Sequence, residues 1–392
     1  MIPYIIFGLY LLFLIYNYDI KNKKSHKDTH VNICLLYLII LVGLRYQFGP
    51  DSFSYEKEFN SLYSPLGSSS IYTEQMGRFY PPGWVYLNVI CQTWGGYLLV
   101  QIICSIIFNA NVFFFLRNTA NKLFTVLFVF FIYDYLYFAT DILRESLAIS
   151  FDLAAIVFLY RRQKLKMLLF LFLGFCFHYY SIFFIVVVIL LNIRIPLKWL
   201  TIISIGLSGL ISLKPDATGY ISAFLFLGDP SGYADALDNK ISFLGFAFKC
   251  IIPIALLAIR YYNKHYCHNS PLILCSKDNS IIDKLIILYC AVVILRYSIP
   301  IADRVMNYFE VIYDVLLVEG IYMALLRNKP YNVRFARLII ILLVTYLPFF
   351  YINAFPGGEY STPMYTRYYP YNSVFEKKII PERERFYQDD GR

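Results

Sequence analysis

Arginine is the residue best placed to do chemistry in this sequence. Arg45, Arg144, Arg296 and Arg304 each stand at an end of a long apolar run. A charge that sinks to mid-bilayer costs roughly 2.5 kcal/mol or more, so each must be paired or used. Guanidinium groups chelate phosphate oxygens two at a time, and a diphosphate is the ligand four of them would suit. The plainer reading is that each pairs with Asp51, Asp141 or Asp303 and staples helices. Asp141 and Arg144 read as an i, i+3 pair on one helix face, and Tyr308 as one turn below Arg304. His178 breaks the helical pattern in Gly174-Phe175-Cys176-Phe177-His178-Tyr179-Tyr180-Ser181. An imidazole there can take or give a proton near neutral pH, or be a packed histidine donating to a carbonyl. Asp134, Asp152, Glu310, Asp314 and Glu319 also fall in apolar runs and read as structural pairs or ionisable linings. Asp152 is about 12 Å along a helix from Arg144, too far to share its chemistry.

The elements that carry these residues are helices for lipid. The chain has 392 residues, 59% hydrophobic and only 16% charged. A soluble chain usually carries about 25% charged residues and could not hide this much apolar surface. Spanning segments must be helices or a closed barrel. Barrel strands alternate, and runs such as Met167 to Phe177 and Leu338 to Tyr346 do not. The expectation is an all-α polytopic membrane protein, one domain over 1–392, with roughly 11–13 spans. Spans are expected near 2–18, 32–47, 97–116, 121–138, 143–160, 165–177, 179–192, 198–213, 242–259, 281–298, 304–325 and 336–352, with a short helix at 83–94. The first run follows Met1 with no basic stretch before it, so it reads as a span rather than a cleaved signal.

Basic residues mark the cytosolic side. Lys21, Lys23, Lys24 and Lys27 place the first loop inside; Arg161 to Lys166, Arg194 with Lys198, Arg260 with Lys264, and Arg327 to Arg337 then follow. The outer side receives the loops 48–82 and 214–241 and the tail 353–392. Tyr365, Arg367, Tyr368, Tyr369 and Tyr371 crowd that tail, either to stack on sugars or to form an interfacial belt. The four arginines then sit on the outer boundary, against the positive-inside trend.

The net charge of +9 is therefore an orientation signal, and no nucleic acid is expected as partner. Six of the eight cysteines lie in apolar stretches and read as small hydrophobes. The spacing of His265, Cys267, His268 and Cys275 fits no zinc pattern. No metal or other cofactor is expected. There is no glycine-rich phosphate loop, GxSxG elbow or HExxH. An ATP-driven pump is excluded unless a partner brings the ATPase.

The order of the outer residues resembles the EpsG-type, Wzy-like family of O-antigen and exopolysaccharide polymerases. Arg45-Tyr46-Gln47-Phe48-Gly49-Pro50-Asp51 is similar to the family's R-Y-x-x-G-x-D, with Tyr55 and Phe59 following. Pro82-Gly83-Trp84, Arg144-Glu145-Ser146-Leu147-Ala148, Phe177-His178-Tyr179-Tyr180-Ser181, Asp303-Arg304-Val305-Met306-Asn307-Tyr308 and Pro370-Tyr371-Asn372 resemble its later landmarks. Two positions depart: Pro81 stands where Glu is frequent, with Glu74 a candidate replacement, and Glu145 stands where Gln is common.

The resemblance implies a glycosyltransferase-type polymerase in the bacterial cytoplasmic (inner) membrane, acting on undecaprenyl-diphosphate-linked oligosaccharide in the making of lipopolysaccharide or exopolysaccharide. It also implies membrane lipid and a chain-length regulator protein as partners. A sugar hydroxyl attacks, and the lipid diphosphate leaves. Arg144 and Arg304 are expected to hold that diphosphate, with His178 or Asp51 as the base, a choice the sequence leaves open. Arg45, Tyr55, Arg296, Tyr308 and Arg367 are expected at the substrate. The alternatives are a flippase for the same glycan, which should show pseudo-repeats and a central charged cavity, and another membrane glycosyl- or acyltransferase. Defined donors given to pure protein separate these.

Overall fold

A computed structural model describes residues 2–66, 80–213, 242–266, 280–299, 302–323, 329–354 and 364–384. The expected outer loop 214–241, Glu74, Cys267, His268, Cys275 and parts of 48–82 and 353–392 lie outside them. Among the described residues the chain is helix and turn, and the one β pairing is an isolated antiparallel bridge between Arg45 and Ser373.

We number the helices α1 (Ile2–Leu14), α2 (Lys27–Gly43), α3 (Pro50–Leu62), α4 (Pro82–Trp94), α5 (Gly96–Thr119), α6 (Leu123–Tyr133), α7 (Tyr135–Thr140), α8 (Leu143–Tyr160), α9 (Lys164–Phe177), α10 (Ser181–Asn192), α11 (Leu197–Leu213), α12 (Phe243–Tyr266), α13 (Ser280–Arg296), α14 (Ala302–Asn307), α15 (Glu310–Ile321) and α16 (Tyr331–Ala354). A π-helical turn, Ile15–Ile20, prolongs α1.

By length and composition, Ile2–Ile20 and Gly96–Thr119 are long and apolar enough to cross a bilayer. Leu123–Tyr133, Ser181–Asn192 and Leu197–Leu213 are shorter apolar helices. Beyond the expected break at His178, breaks at Asp134 and Tyr308-Phe309 cut the expected spans 121–138 and 304–325 into shorter pieces. Exposed apolar side chains line the outer faces of several helices: Leu9 and Phe13 on α1, Leu168 and Phe172 on α9, Leu207 and Leu210 on α11. Such surface suits acyl chains better than water.

α8 is the central helix. It is buried on every side from Leu143 to Phe158, apart from Arg144, and mostly apolar, with Glu145 and Asp152 as its buried acids, as suits a helix enclosed by others. α5, α9 and α10 pack around it. Its serines donate within the helix, Ser146 and Ser150 to the carbonyls of Leu143 and Leu147, and Ser150 Oγ also accepts from Asn111 Nδ2 of α5 at 3.2 Å. The helix has 18 residues, so Arg144 and Arg161 mark ends roughly 27 Å apart.

Two of the basic loops expected on the cytosolic side, those of Lys27 and Arg161, meet the end of α5 and the turn after it at the Arg161 end. Lys27 donates to the Asn121 carbonyl at 3.4 Å, and Arg161 donates to Asn118. One of the acids expected in apolar runs, Glu319, works here together with Asp19. Glu319 Oε1 accepts from the backbone N–H of Asn121 and Lys122 at 2.8 and 2.9 Å, and Asp19 Oδ2 accepts from the Thr125 N–H at 2.7 Å. Together they satisfy the orphan donors that open α6.

Candidate functional site

The far end of α8 holds the site. Helix α7 stops at Thr140, and Ile142 leaves the helical region before α8 begins at Leu143. The expected i, i+3 pairing of Asp141 with Arg144 therefore does not form, because no single helix carries both. Arg144 turns instead to α3 and to Tyr80, two residues before α4. Its guanidinium lies 4.9 Å from the ring centre of Tyr80 and 5.6 Å from that of Tyr55, and it hydrogen-bonds Tyr55. Aromatic faces attract a cation without neutralising it. Glu58, one turn beyond Tyr55, adds a carboxylate beside Arg144 and accepts a hydrogen bond from Tyr80. Burial pushes the Glu58 carboxyl above its ordinary range, against the opposing pull of Arg144.

Glu145, the next residue, points to α14. Its Oε2 accepts from Arg304 Nη1 at 2.9 Å and its Oε1 from Asn307 Nδ2 at 2.9 Å. The position where the sequence departs from a common glutamine thus becomes the anchor of Arg304. About a third of the Arg304 side chain stays exposed.

His178 ends α9 with extended backbone (φ −153°, ψ 128°), and α10 starts at Ser181. The break expected at the histidine is present. Its Nδ1 lies 3.5 Å from the Tyr308 hydroxyl, and Arg144 and Arg304 are its charged neighbours. Tyr308 occupies the turn between α14 and α15 rather than a helix face shared with Arg304, and stacks on Phe184. Ser181 Oγ donates to Asp152 Oδ2 at 2.7 Å, so Asp152 ties the start of α10 to α8.

A second ring of residues fastens the tail. Gly49 has φ +87°, and a Cβ there would lie 2.6 Å from Thr140 Oγ1 and collide with Asp141, so only glycine fits. Its N–H donates to the Arg367 carbonyl at 3.1 Å. Asp141 accepts from Tyr368 at 2.6 Å and faces Arg367 at 3.6 Å. Burial raises the Asp141 carboxyl to about 6, opposed by Arg367 and Tyr368. Arg383 donates to the carbonyls of Thr366, Gln47 and Pro370 at 3.2, 2.9 and 2.6 Å. Tyr371 donates to the Leu41 carbonyl at 2.9 Å.

The structure thus brings Arg144, His178, Arg304, Tyr55 and Tyr308 together and leaves others apart. Arg45 is 1% exposed, donates from Nη1 to the Val42 carbonyl at 2.7 Å, and has no partner for Nε or Nη2 among the described residues. It is a buried wedge under the bridge to Ser373, not a surface for substrate. Arg296 is held by Asp303 at 2.5 Å, which Lys249 shares at 2.5 Å, so it is a helix staple. Arg367 anchors the tail. Asp51 opens α3 in its first turn, where a carboxylate favours the helix. Glu58, Tyr80, Asn307 and Arg383 were missed. For Glu58 the signal was available, as it lies i+3 from Tyr55. No group of three His, Cys, Asp or Glu among the described residues is placed to hold a metal ion.

An all-helical protein with lipid-suited outer faces and a paired-arginine site at one end of its central helix is the class these features define. Residues 28–373 match the EpsG family, and the chain belongs to that family of polysaccharide-biosynthesis membrane proteins. No curated protein and no solved structure matches it.

Proposed function

We propose that this chain is a repeat-unit polymerase of O-antigen or exopolysaccharide, multi-pass in the bacterial cytoplasmic membrane. It transfers a growing glycan from undecaprenyl diphosphate onto a lipid-linked repeat unit at the outer face. One observation carries the reading: two arginines from distant helices, Arg144 and Arg304, converge beside His178 at one end of the bundle. A leaving diphosphate needs charge stabilisation more than a proton, and fixed guanidinium groups supply it without reorganising. Arg304, partly exposed, and Arg144, caged by tyrosines, would grip the two phosphates, and the tyrosine-bearing outer segments would hold glycan. Chain length would be set by a separate regulator.

The test is genetic. The gene is deleted in its host, restored as wild type or Arg304→Ala, and the surface glycan is run on a gel. The reading expects single repeat units on deletion, a ladder on restoration and no ladder with Arg304→Ala at normal expression. Loss of every surface repeat on deletion, single units included, would instead place the block at export and make the protein a flippase.

A further inference from the structure

We infer that Glu58 is the general base that takes the proton from the attacking sugar hydroxyl, an inference that rests on the polymerase reading above. Three observations lead to it. Glu58 lies on α3 beside Arg144, which places a carboxylate next to a guanidinium assigned to the diphosphate. A hydroxyl approaching the anomeric carbon of a donor held there comes within reach of that carboxylate. One carboxylate oxygen, Oε2, is buried and has no hydrogen-bond partner among the described residues, while Tyr80 donates to the group. A buried acceptor without a donor is costly, and an incoming hydroxyl is the donor that would satisfy it.

The other two candidates are worse placed. His178 has Arg144 and Arg304 as its charged neighbours, and a proton taken by its ring would set a third positive charge beside two. Asp51 stands seven residues before Glu58 on the same face of α3, about 10 Å away along the axis. The groups that face Glu58 are Tyr55 and Tyr63 on its own segment, Tyr80, and Arg144 from α8; of these only Arg144 carries a charge near neutral pH. Burial lifts the Glu58 carboxyl toward the range where a base is effective.

The step balances. The acceptor oxygen bonds to the anomeric carbon as its proton passes to Glu58. The bond from that carbon to the diphosphate oxygen breaks, and its electron pair stays on the diphosphate against Arg144 and Arg304. Glu58 then releases the proton to water.

The experiment uses the full-length protein in detergent or nanodiscs with a defined lipid-linked repeat unit. Glu58→Gln keeps the shape of the side chain and an acceptor for Tyr80, so a merely structural role would survive it. The expected result is a rate at least about 100-fold below wild type, with an unchanged melting temperature. The wild-type rate should fall on the acid side of neutrality, and the residual rate of Glu58→Gln should not follow it. Glu58→Ala given azide, a nucleophile with no proton to lose, should form glycosyl azide from the lipid diphosphate donor. Glu58→Gln within a few-fold of wild type, or Glu58→Ala that makes no glycosyl azide, would overturn the assignment. If wild type itself makes no polymer, the polymerase reading fails first and takes the base with it.

Discussion

Glu145 and Arg304 meet at 2.9 Å although 159 residues separate them in sequence, and Glu145 is the immediate neighbour of Arg144. One step along α8 therefore separates the anchor of one arginine from the body of the other. The spacing of the two guanidinium groups is set by a single helix start and not by loops.

That anchor can be tested in two grades. Glu145→Gln keeps an acceptor for Arg304 and, with the Asn307 amide turned to present its oxygen, a donor for Asn307, and should leave the protein folded and polymer formation within several-fold. Glu145→Ala removes both bonds from a buried position and should cost roughly 1–3 kcal/mol. Thermal unfolding in detergent and glycan gels read the two effects.

Gly83 explains the Pro-Gly-Trp start of α4. A Cβ at this position would lie 2.7 Å from the Cys176 carbonyl oxygen, two residues before His178. Backbone cannot move aside as a side chain does, so Gly83→Ala should push the end of α9 outward. Destabilisation of about 1–3 kcal/mol is expected, with polymer length falling more than protein level. A wild-type ladder from Gly83→Ala would contradict this packing.

Arg296 and Arg304 look alike in sequence, but their partners separate them. Arg296 is a staple to a half-exposed Asp303, and such pairs contribute up to about 1 kcal/mol. Arg296→Ala should lower the melting temperature slightly and keep the ladder, whereas Arg304→Ala should keep the fold and lose it. Side-by-side gels of the two variants decide.

Asp141, in the turn between α7 and α8, supplies a pH signature. Its carboxyl rises from 3.8 to about 6 on burial. The folded state then binds its proton more tightly than the unfolded one. The stability linked to that proton is fully present below pH 3.8 and is lost as pH rises through about 6. Asp141→Asn cannot titrate. Wild-type stability relative to Asp141→Asn should fall by up to roughly 3 kcal/mol between pH 4 and 7, then stay level. A difference that grows across this range would show the sign to be wrong.

Much of this was legible in the sequence because it is local. The helical class follows from apolar runs without alternation, and the break at His178 from a polar residue between two half-length runs. What failed was pairing. Asp141 and Arg144 have a helix spacing, but the break at Ile142 lies between them and sends one to the tail and the other to α3. Arg45 and Arg304 both flank apolar runs, yet one is sealed under the tail and the other keeps a third of its surface. Pairings such as Glu145 with Arg304 or Arg383 with Gln47 join distant segments, and no local pattern encodes them. Glu58 was passed over because it sits in an outer segment where charge is unremarked.

The returning tail has a consequence for how the protein is made. Residues 364–384 bridge to Arg45, cover Gly49 and Asp141, and lock through Arg383 onto the Gln47 carbonyl. The wall they complete is drawn from residues 45–141, and the ribosome makes residues 364–384 only after all of it. A chain still being synthesised can form its helices, yet it cannot close this end of the bundle until that segment has been made and has folded back to meet it.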